Sequence, residues 1–218
     1  MLRYDRDIRV LAMGYAVLAG AVDAIGFLKS GGLFVSFMTG NSTRLAVGLA
    51  EISAIAAAAG ALIALFVVGV VLNVLVSESI GALHRKVTAA LFVSTLLIAA
   101  SAADSLGFYQ LTIGSLCLAM GAANAIFRRE GEVSIGVTYM TGTLVKLGHR
   151  LADSLRGAGD TSWLPYLLLW LSLVVGGVAG AVGFNAAEDA SLWAVAFASL
   201  ALAFAAWRLT SRAGRPAV

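Results

Sequence analysis

Charged residues are scarce in this sequence. Asp, Glu, Lys and Arg make up only 12% of its 218 residues, whereas hydrophobic types make up 60%. A soluble domain carries about 25% charged residues. There are too few polar side chains to cover a water-facing surface, and the composition is far too apolar for a disordered chain. The sequence therefore predicts an integral membrane protein.

Cysteine and histidine are also rare. The one cysteine, Cys117, cannot form an intrachain disulfide, and the two histidines show no metal-ligand spacing with it. We find no Ser-His-Asp arrangement and no metalloprotease motif. We therefore expect no catalytic residues, no metal, no cofactor and no enzymatic activity. The net charge of +3 is too small to indicate a nucleic-acid partner.

Six apolar runs approach the roughly 20 residues that a membrane-crossing helix needs. They lie at 8–28, 54–76, 87–103, 106–126, 163–184 and 190–208. The pattern predicts an all-α protein with six transmembrane helices. A cleaved signal peptide is the alternative interpretation of residues 1–29, but the apolar run continues past the candidate cleavage site to Leu28.

Basic residues indicate the orientation of these spans. They cluster at 3–9, 84–86, 128–129 and 208–215, which all lie on one side of a six-span chain. The short connections on the other side contain acidic residues and no Lys or Arg. The positive-inside rule then places both termini in the cytoplasm. Lys29 and Arg44, which follow the first span, are the exception.

Two parts of the sequence resemble each other. Gly20-Ala-Val-Asp-Ala-Ile25 aligns with Gly121-Ala-Ala-Asn-Ala-Ile126 at an offset of 101 residues. Ser36-Phe-Met-Thr-Gly40 aligns with Thr138-Tyr-Met-Thr-Gly142 at an offset of 102. Chance similarity between two Ala- and Gly-rich segments is the alternative. Composition explains the Ala and Gly matches, but it does not easily give Met-Thr-Gly in register.

The duplication predicts a topology. Each half contains three spans, and because three is odd, the second half must be inverted relative to the first. Inverted repeats are a known transporter architecture, with the ligand site near the midplane between the repeats. We therefore predict one integral membrane domain. Its parts are a first repeat over 1–104, a second repeat over 105–210 and a cytoplasmic tail over 211–218.

The Met-Thr-Gly segments lie in two unusual connections, 31–50 and 133–151, which are mostly apolar and long for loops. If both crossed the membrane, the eight-span topology would place Arg85 and Lys86 opposite the basic N-terminus. We therefore predict broken or re-entrant segments, which are tolerated at membrane depth only when protein or a water-filled cavity surrounds them. Amphipathic helices lying at the membrane surface are the alternative.

A half-helix that begins at such a segment would attract anions through its free N–H groups. Arg44 and Lys146 follow the two segments by one turn and would strengthen that attraction.

Asp23 is an ionisable residue inside the first span. Such residues are costly in a membrane, so a functional role is the first hypothesis for it. It would act as a proton- or cation-responsive carboxylate. Alternatively it would form a structural ion pair with Lys29 or Arg44, or simply lie at the membrane interface. The predicted substrate-binding residues are Asp23, Thr39, Gly40, Asn41, Arg44, Asn124, Thr141, Gly142, Thr143 and Lys146.

Small and amide residues predict how the spans pack. Gly20 belongs to a stripe of small residues in the first span, and Gly176 and Gly180 form another in the fifth. Such faces allow close helix crossings. They would also suit a homodimer. Asn73 in the second span is expected to hydrogen-bond between helices.

The segment from Gly20 to Asn41, which contains Phe34-Val-Ser-Phe-Met-Thr-Gly-Asn41, and the later Thr138-Tyr-Met-Thr-Gly142 resemble YoaK-like proteins. These form a bacterial inner-membrane family of unknown function. The resemblance covers nearly the whole chain. It implies six spans in the bacterial inner (plasma) membrane, and it brings no established substrate or catalytic residue.

The function that we predict is a small-solute transporter or channel-like permease, for a polar or anionic solute, with proton coupling through Asp23. Its ligand site would lie between the two Met-Thr-Gly segments near the midplane. Its partners would be the lipid bilayer and that solute. A non-transporting sensor or scaffold subunit is the alternative, and a membrane enzyme is favoured less.

Overall fold

The fold was analysed in a computed structural model, which describes residues 5–80, 84–129, 132–158 and 161–213. Within these ranges the chain forms eight α-helices. They are α1 (Arg6–Lys29), α2 (Met38–Ala50), α3 (Ala54–Glu78), α4 (Arg85–Ser105), α5 (Tyr109–Ala123), α6 (Met140–Asp153), α7 (Leu164–Ala186) and α8 (Glu188–Ala213). The all-α prediction is confirmed.

Two short elements interrupt this pattern. Strands β1 (Arg128–Arg129) and β2 (Glu132–Val133) pair as an antiparallel hairpin after α5. A π-helical turn at Ser154–Ala158 ends α6. The predicted tail is described only as far as Ala213, and Arg3 and Arg215 of the basic clusters lie outside the described residues.

Five helices of the described chain are long and apolar enough to cross a membrane: α1, α3, α4, α7 and α8. A multi-pass membrane protein is therefore confirmed. The predicted fourth span, 106–126, is shorter than expected, because α5 has only 15 residues. From Asn124 onward the backbone bonds tighten to i→i−3 spacing, as in the 3.2 Å bond from Asn124 N–H to Gly121 O.

The helices pack in matched pairs. The most extensive packing is between α1 and α7, and the pair that the repeat relates to it, α5 and α3, also packs. Similarly, α4 contacts α5 as α8 contacts α1, and α2 lies on α3 as α6 lies on α7. If helices α1 to α4 are matched in order with α5 to α8, each of these contacts has a counterpart contact between the matching helices.

Glycines make the crossing of α1 and α7 very close. A Cβ atom added at Gly20 would lie within 3.0 Å of the Leu173 carbonyl oxygen, and one added at Gly176 would lie equally close to the Val17 oxygen. Real Cβ atoms do not approach backbone so closely. The predicted small-residue faces of the first and fifth spans therefore pack against each other.

The crossing of α5 and α3 repeats this arrangement. A Cβ added at Gly121 would collide with the carbonyl oxygen of Phe66, and one added at Gly69 with that of Leu118. Gly121 and Leu118 of α5 lie 101 residues after Gly20 and Val17 of α1. Gly176 and Leu173 of α7 lie 107 residues after Gly69 and Phe66 of α3.

Asn73 connects three helices in the core. Its Nδ2 group donates to the carbonyl oxygens of Ala122 (2.7 Å) and Ala89 (3.2 Å), and so links α3 to the end of α5 and to α4. The side chain is fully buried. The prediction that Asn73 hydrogen-bonds between helices is confirmed.

Candidate functional site

Asp23 holds the chain segment that follows α1. The chain turns at Gly31 and Gly32, whose φ angles of 69° and 114° favour glycine, and then runs back beside α1. The backbone N–H groups of Val35 and Ser36 donate to Oδ1 of Asp23 at 2.9 and 2.8 Å. The carboxylate therefore accepts hydrogen bonds from two backbone N–H groups of an irregular segment, where no helix or sheet provides an acceptor for them.

Asn41 holds the same segment from the side of α2. Its Oδ1 accepts from the N–H of Phe34 at 3.0 Å, and its Nδ2 donates to the carbonyl oxygen of Phe34 at 2.6 Å. Asn41 is fully buried, as is Val35, which packs on Gly26. Segment 33–37 thus lies between α1 and α2. Asp23 is six residues before the end of α1, so the segment returns about 9 Å along that helix.

The second half has a related arrangement at the corresponding positions. Oγ1 of Thr138 donates to Oδ1 of Asn124 at 3.1 Å, and Val137 is fully buried, like Val35. Thr143 is also buried, and its hydroxyl donates to Tyr139 O at 3.2 Å. The polar residue near the end of the first helix of each half therefore contacts the segment that precedes Met-Thr-Gly.

The two predicted cations have different surroundings. The Arg44 guanidinium lies 5.6 Å from the centre of the Phe34 ring, so the pair forms a cation–π contact next to the Asp23 segment. Lys146 is exposed. The matched pair of cations that the sequence predicts is thus a pair in sequence position and not in environment.

Asp23 forms no ion pair with Lys29 or Arg44. Among the described residues, no basic nitrogen lies within 4.0 Å of its carboxylate. The ion pair that the sequence offered for Asp23 is therefore wrong, because Lys29 has other partners and Arg44 faces Phe34.

Lys29 joins the ends of three helices. Its Nζ lies 2.7 Å from Oδ1 of Asp104 at the end of α4, and it also pairs with Glu188 at the start of α8. The Lys29 and Asp104 side chains are almost buried, with 11% and 6% exposed. Lys29 was an exception to the charge pattern, and acidic residues from the two Lys- and Arg-free connections now neutralise it.

We expect Lys29→Met to lower the free energy of unfolding by about 2 kcal/mol, because Asp104 would keep a nearly buried charge without its partner. The loss stays below that of a fully buried pair because Glu188 is half exposed. Thermal unfolding in detergent measures the change. The double variant Lys29→Met/Asp104→Asn should recover most of the loss. A double variant that is less stable than Lys29→Met would contradict this account.

A cavity of about 320 Å³ lies beside Asp23, between α1 and α7. Its wall is mostly apolar, and Asp23 is the ionisable residue that lines it. Its lining residues are Gly20, Asp23, Ala24, Phe27, Leu28, Phe34, Leu173, Gly177 and Ala181. An ionisable side chain at an otherwise apolar cavity suits the binding of a proton or of a small polar solute.

The predicted site residues form two groups. In the first half, Asp23 and Asn41 hold segment 33–37, and Arg44 stacks on it. In the second half, Asn124 and Thr143 are buried. The exposed residues are Thr39, Thr141, Gly142 and Lys146, whereas Gly40 is partly buried against aromatic rings. Within the described chain, α2 and α6, which begin with the two Met-Thr-Gly motifs, do not touch each other, so these helices do not together form the ligand site predicted between the motifs.

Phe34 is the residue that the sequence reasoning missed. Its backbone binds Asn41, its ring faces Arg44, and its side chain lines the Asp23 cavity. The available signal was its position within the motif, immediately before Val35-Ser-Phe-Met-Thr-Gly. No spacing rule distinguishes it from the other phenylalanines of the chain.

Comparison with known proteins gives a family for the chain. The family model described as "Protein of unknown function (DUF1275)" matches residues 11–205. The chain is also 37% identical to UPF0700 transmembrane protein RA0705 of Rhizobium meliloti (strain 1021). The alignment spans 202 residues, which is 93% of this chain and 87% of that protein. No solved structure matches the chain. The chain therefore belongs to the DUF1275 family, as its resemblance to YoaK-like membrane proteins predicted.

Proposed function

We propose that this protein is a small-solute transporter or permease of the bacterial inner membrane, built as an inverted repeat. The matched glycine crossings support the repeat. They use Gly20 and Gly176 in one helix pair and Gly121 and Gly69 in the other, at constant offsets. Such agreement in three dimensions is not expected from similar composition alone.

The ion pairs support α5 as a sixth, short crossing. Lys29, at the end of α1, pairs with Asp104 at the end of α4, so these two helix ends lie at the same face. Helix α5 begins from that face. After α5, Arg128 pairs with Glu78 at the end of α3, close in sequence to the start of α4. Because α4 connects the two faces, α5 must return between them. The two Met-Thr-Gly segments would then lie at opposite faces, with both termini cytoplasmic.

The observation that carries the transport proposal is Asp23. It lines a cavity between α1 and α7, which belong to different halves. Transporters built from inverted repeats bind their ligands at the interface between repeats, and irregular backbone at that depth contributes to the site. Segment 33–37 supplies such backbone, and Arg44 adds a cation that suits a polar or anionic solute. We place proton coupling at Asp23.

One observation favours a non-transporting scaffold instead. Oδ1 of Asp23 already accepts two backbone N–H groups, which is a sufficient structural reason for a carboxylate at this position. The absence of an enzymatic role stays a prediction under either function.

Flux measurements on purified protein in liposomes separate these functions. We would load a pH-sensitive dye, impose a proton gradient and add small anions and polar solutes in turn. We expect one class to move protons with the wild type and not with Asp23→Asn, which keeps an oxygen acceptor for segment 33–37. Asp153→Asn changes an exposed carboxylate and is the matched control.

Failure of the wild type to move any solute class would favour the scaffold. Equal flux through the wild type and Asp23→Asn would remove Asp23 from the mechanism while leaving transport intact. Equal losses in Asp23→Asn and Asp153→Asn would mean that the effect is not specific to the cavity.

A further inference from the structure

A long groove lies between α1, α7 and α8, away from the Asp23 cavity. It has a volume of about 490 Å³ and is lined almost entirely by apolar residues. They are Gly14, Val17, Leu18, Ala21 and Ile25 of α1, Ala179, Gly180 and Gly183 of α7, and Ser191, Ala194, Val195, Ala198, Ala201 and Leu202 of α8. Because the three helices are candidate spans, this groove lies at membrane depth.

The groove continues into a charged mouth. A second cleft of about 480 Å³ shares Gly14 and Leu202 with the first and extends to the start of α1 and the end of α8. Arg6, Asp7 and Arg208 line it. Both arginines are exposed, and the Arg208 guanidinium lies 5.6 Å from the centre of the Phe204 ring. The mouth thus carries two positive charges and one negative charge.

We propose that this groove is a binding site for an anionic phospholipid. The phosphate lies at the mouth beside Arg6 and Arg208, and one acyl chain lies along the apolar groove from Gly14 toward Ala198. Both volumes fall within the range of about 300–1,000 Å³ that is usual for ligand sites. Basic clusters at membrane-spanning helix ends attract anionic lipids, and the small side chains leave room for a hydrocarbon chain.

A second copy of this chain fits the groove less well. Copies that share one orientation in the membrane would bring the basic end of α1 and α8 against the same end of the partner. The arginines would then repel each other, whereas a phospholipid phosphate neutralises them. The charge of the mouth therefore favours the lipid.

Native mass spectrometry of the purified protein tests this site. The probes are phosphatidylglycerol and phosphatidylcholine with identical acyl chains, each added at known concentration. We expect the wild type to bind phosphatidylglycerol at least tenfold more tightly. The variant Arg6→Ala/Arg208→Ala should lose this preference, because each arginine is expected to raise the affinity for phosphatidylglycerol roughly fivefold. Arg156→Ala removes another exposed arginine and should keep it.

A second pair of variants tests the acyl-chain groove. Ala198→Trp fills the groove and should weaken the binding of both lipids, whereas Leu200→Trp, on the same helix but outside the lining, should not. Unchanged far-ultraviolet circular dichroism and melting temperature without lipid show that the variants fold. Equal binding of the two lipids by the wild type would overturn the proposal. So would normal binding by Ala198→Trp, or a dimer peak that this variant abolishes.

Discussion

Replacing Gly20 with alanine is expected to destabilise the protein by about 3 kcal/mol or more, which is large for the addition of one methyl group. The added Cβ would lie within 3.0 Å of the Leu173 carbonyl oxygen. Both atoms belong to rigid helices, so no flexible side chain can move away. The α1–α7 crossing, the most extensive helix contact, would have to open. Thermal unfolding and the yield of monodisperse protein in detergent measure the effect.

Two further alanine variants make this test specific. Gly121→Ala should be comparably destabilising, because Gly121 has the same role against Phe66 in the α5–α3 crossing. Gly148→Ala should be neutral or slightly stabilising, since no atom lies within 4 Å of its added Cβ and alanine favours a helix. If Gly20→Ala were tolerated while Gly121→Ala was not, the two crossings would not be equivalent.

Replacing Asp23 with alanine should cost about 3 kcal/mol, because the buried N–H groups of Val35 and Ser36 would both lose their acceptor. Asp23→Asn should cost less than about 1 kcal/mol, since its amide oxygen can still accept hydrogen bonds. Asn124 shows that an amide suits the corresponding position of the other half, where it accepts from Thr138. Thermal unfolding in detergent compares the two variants.

A local measurement complements this comparison. Hydrogen exchange at Val35 and Ser36 should accelerate in Asp23→Ala and stay near the wild-type rate in Asp23→Asn. Similar stability of the two variants, or unchanged exchange in Asp23→Ala, would show that the carboxylate does not hold segment 33–37.

Sequence reasoning located the helices well because hydropathy and length are properties of the segments themselves. The predicted span 54–76 lies within α3, and 163–184 lies within α7 except for its first residue. Helices α2 and α6 begin at Met38 and Met140, exactly 102 residues apart, and their 13 and 14 residues are too few for a full crossing. The exception is the end of α5, where Asn124 and local turn bonds override a continuous apolar run.

The candidate site was predictable only in part. Asp23 and Asn41 could be identified because polar residues are conspicuous in an apolar sequence. The partners of Lys29 could not, because Glu188 is 159 residues away and the contact depends on how three helices assemble. The groove beside α1 was equally hidden, since its alanines and glycines look like packing residues until the space between the helices is known.

The central claim is that the two Met-Thr-Gly segments lie at opposite faces of the membrane. The most direct test introduces one cysteine at a time, at Thr39 or Thr141, two exposed positions that are 102 residues apart. Cys117 is fully buried and leaves a low background. In intact cells, a membrane-impermeant maleimide should label Thr39→Cys and not Thr141→Cys. In inverted membrane vesicles the result should be reversed. Labelling of both positions from the same side would contradict the inverted repeat.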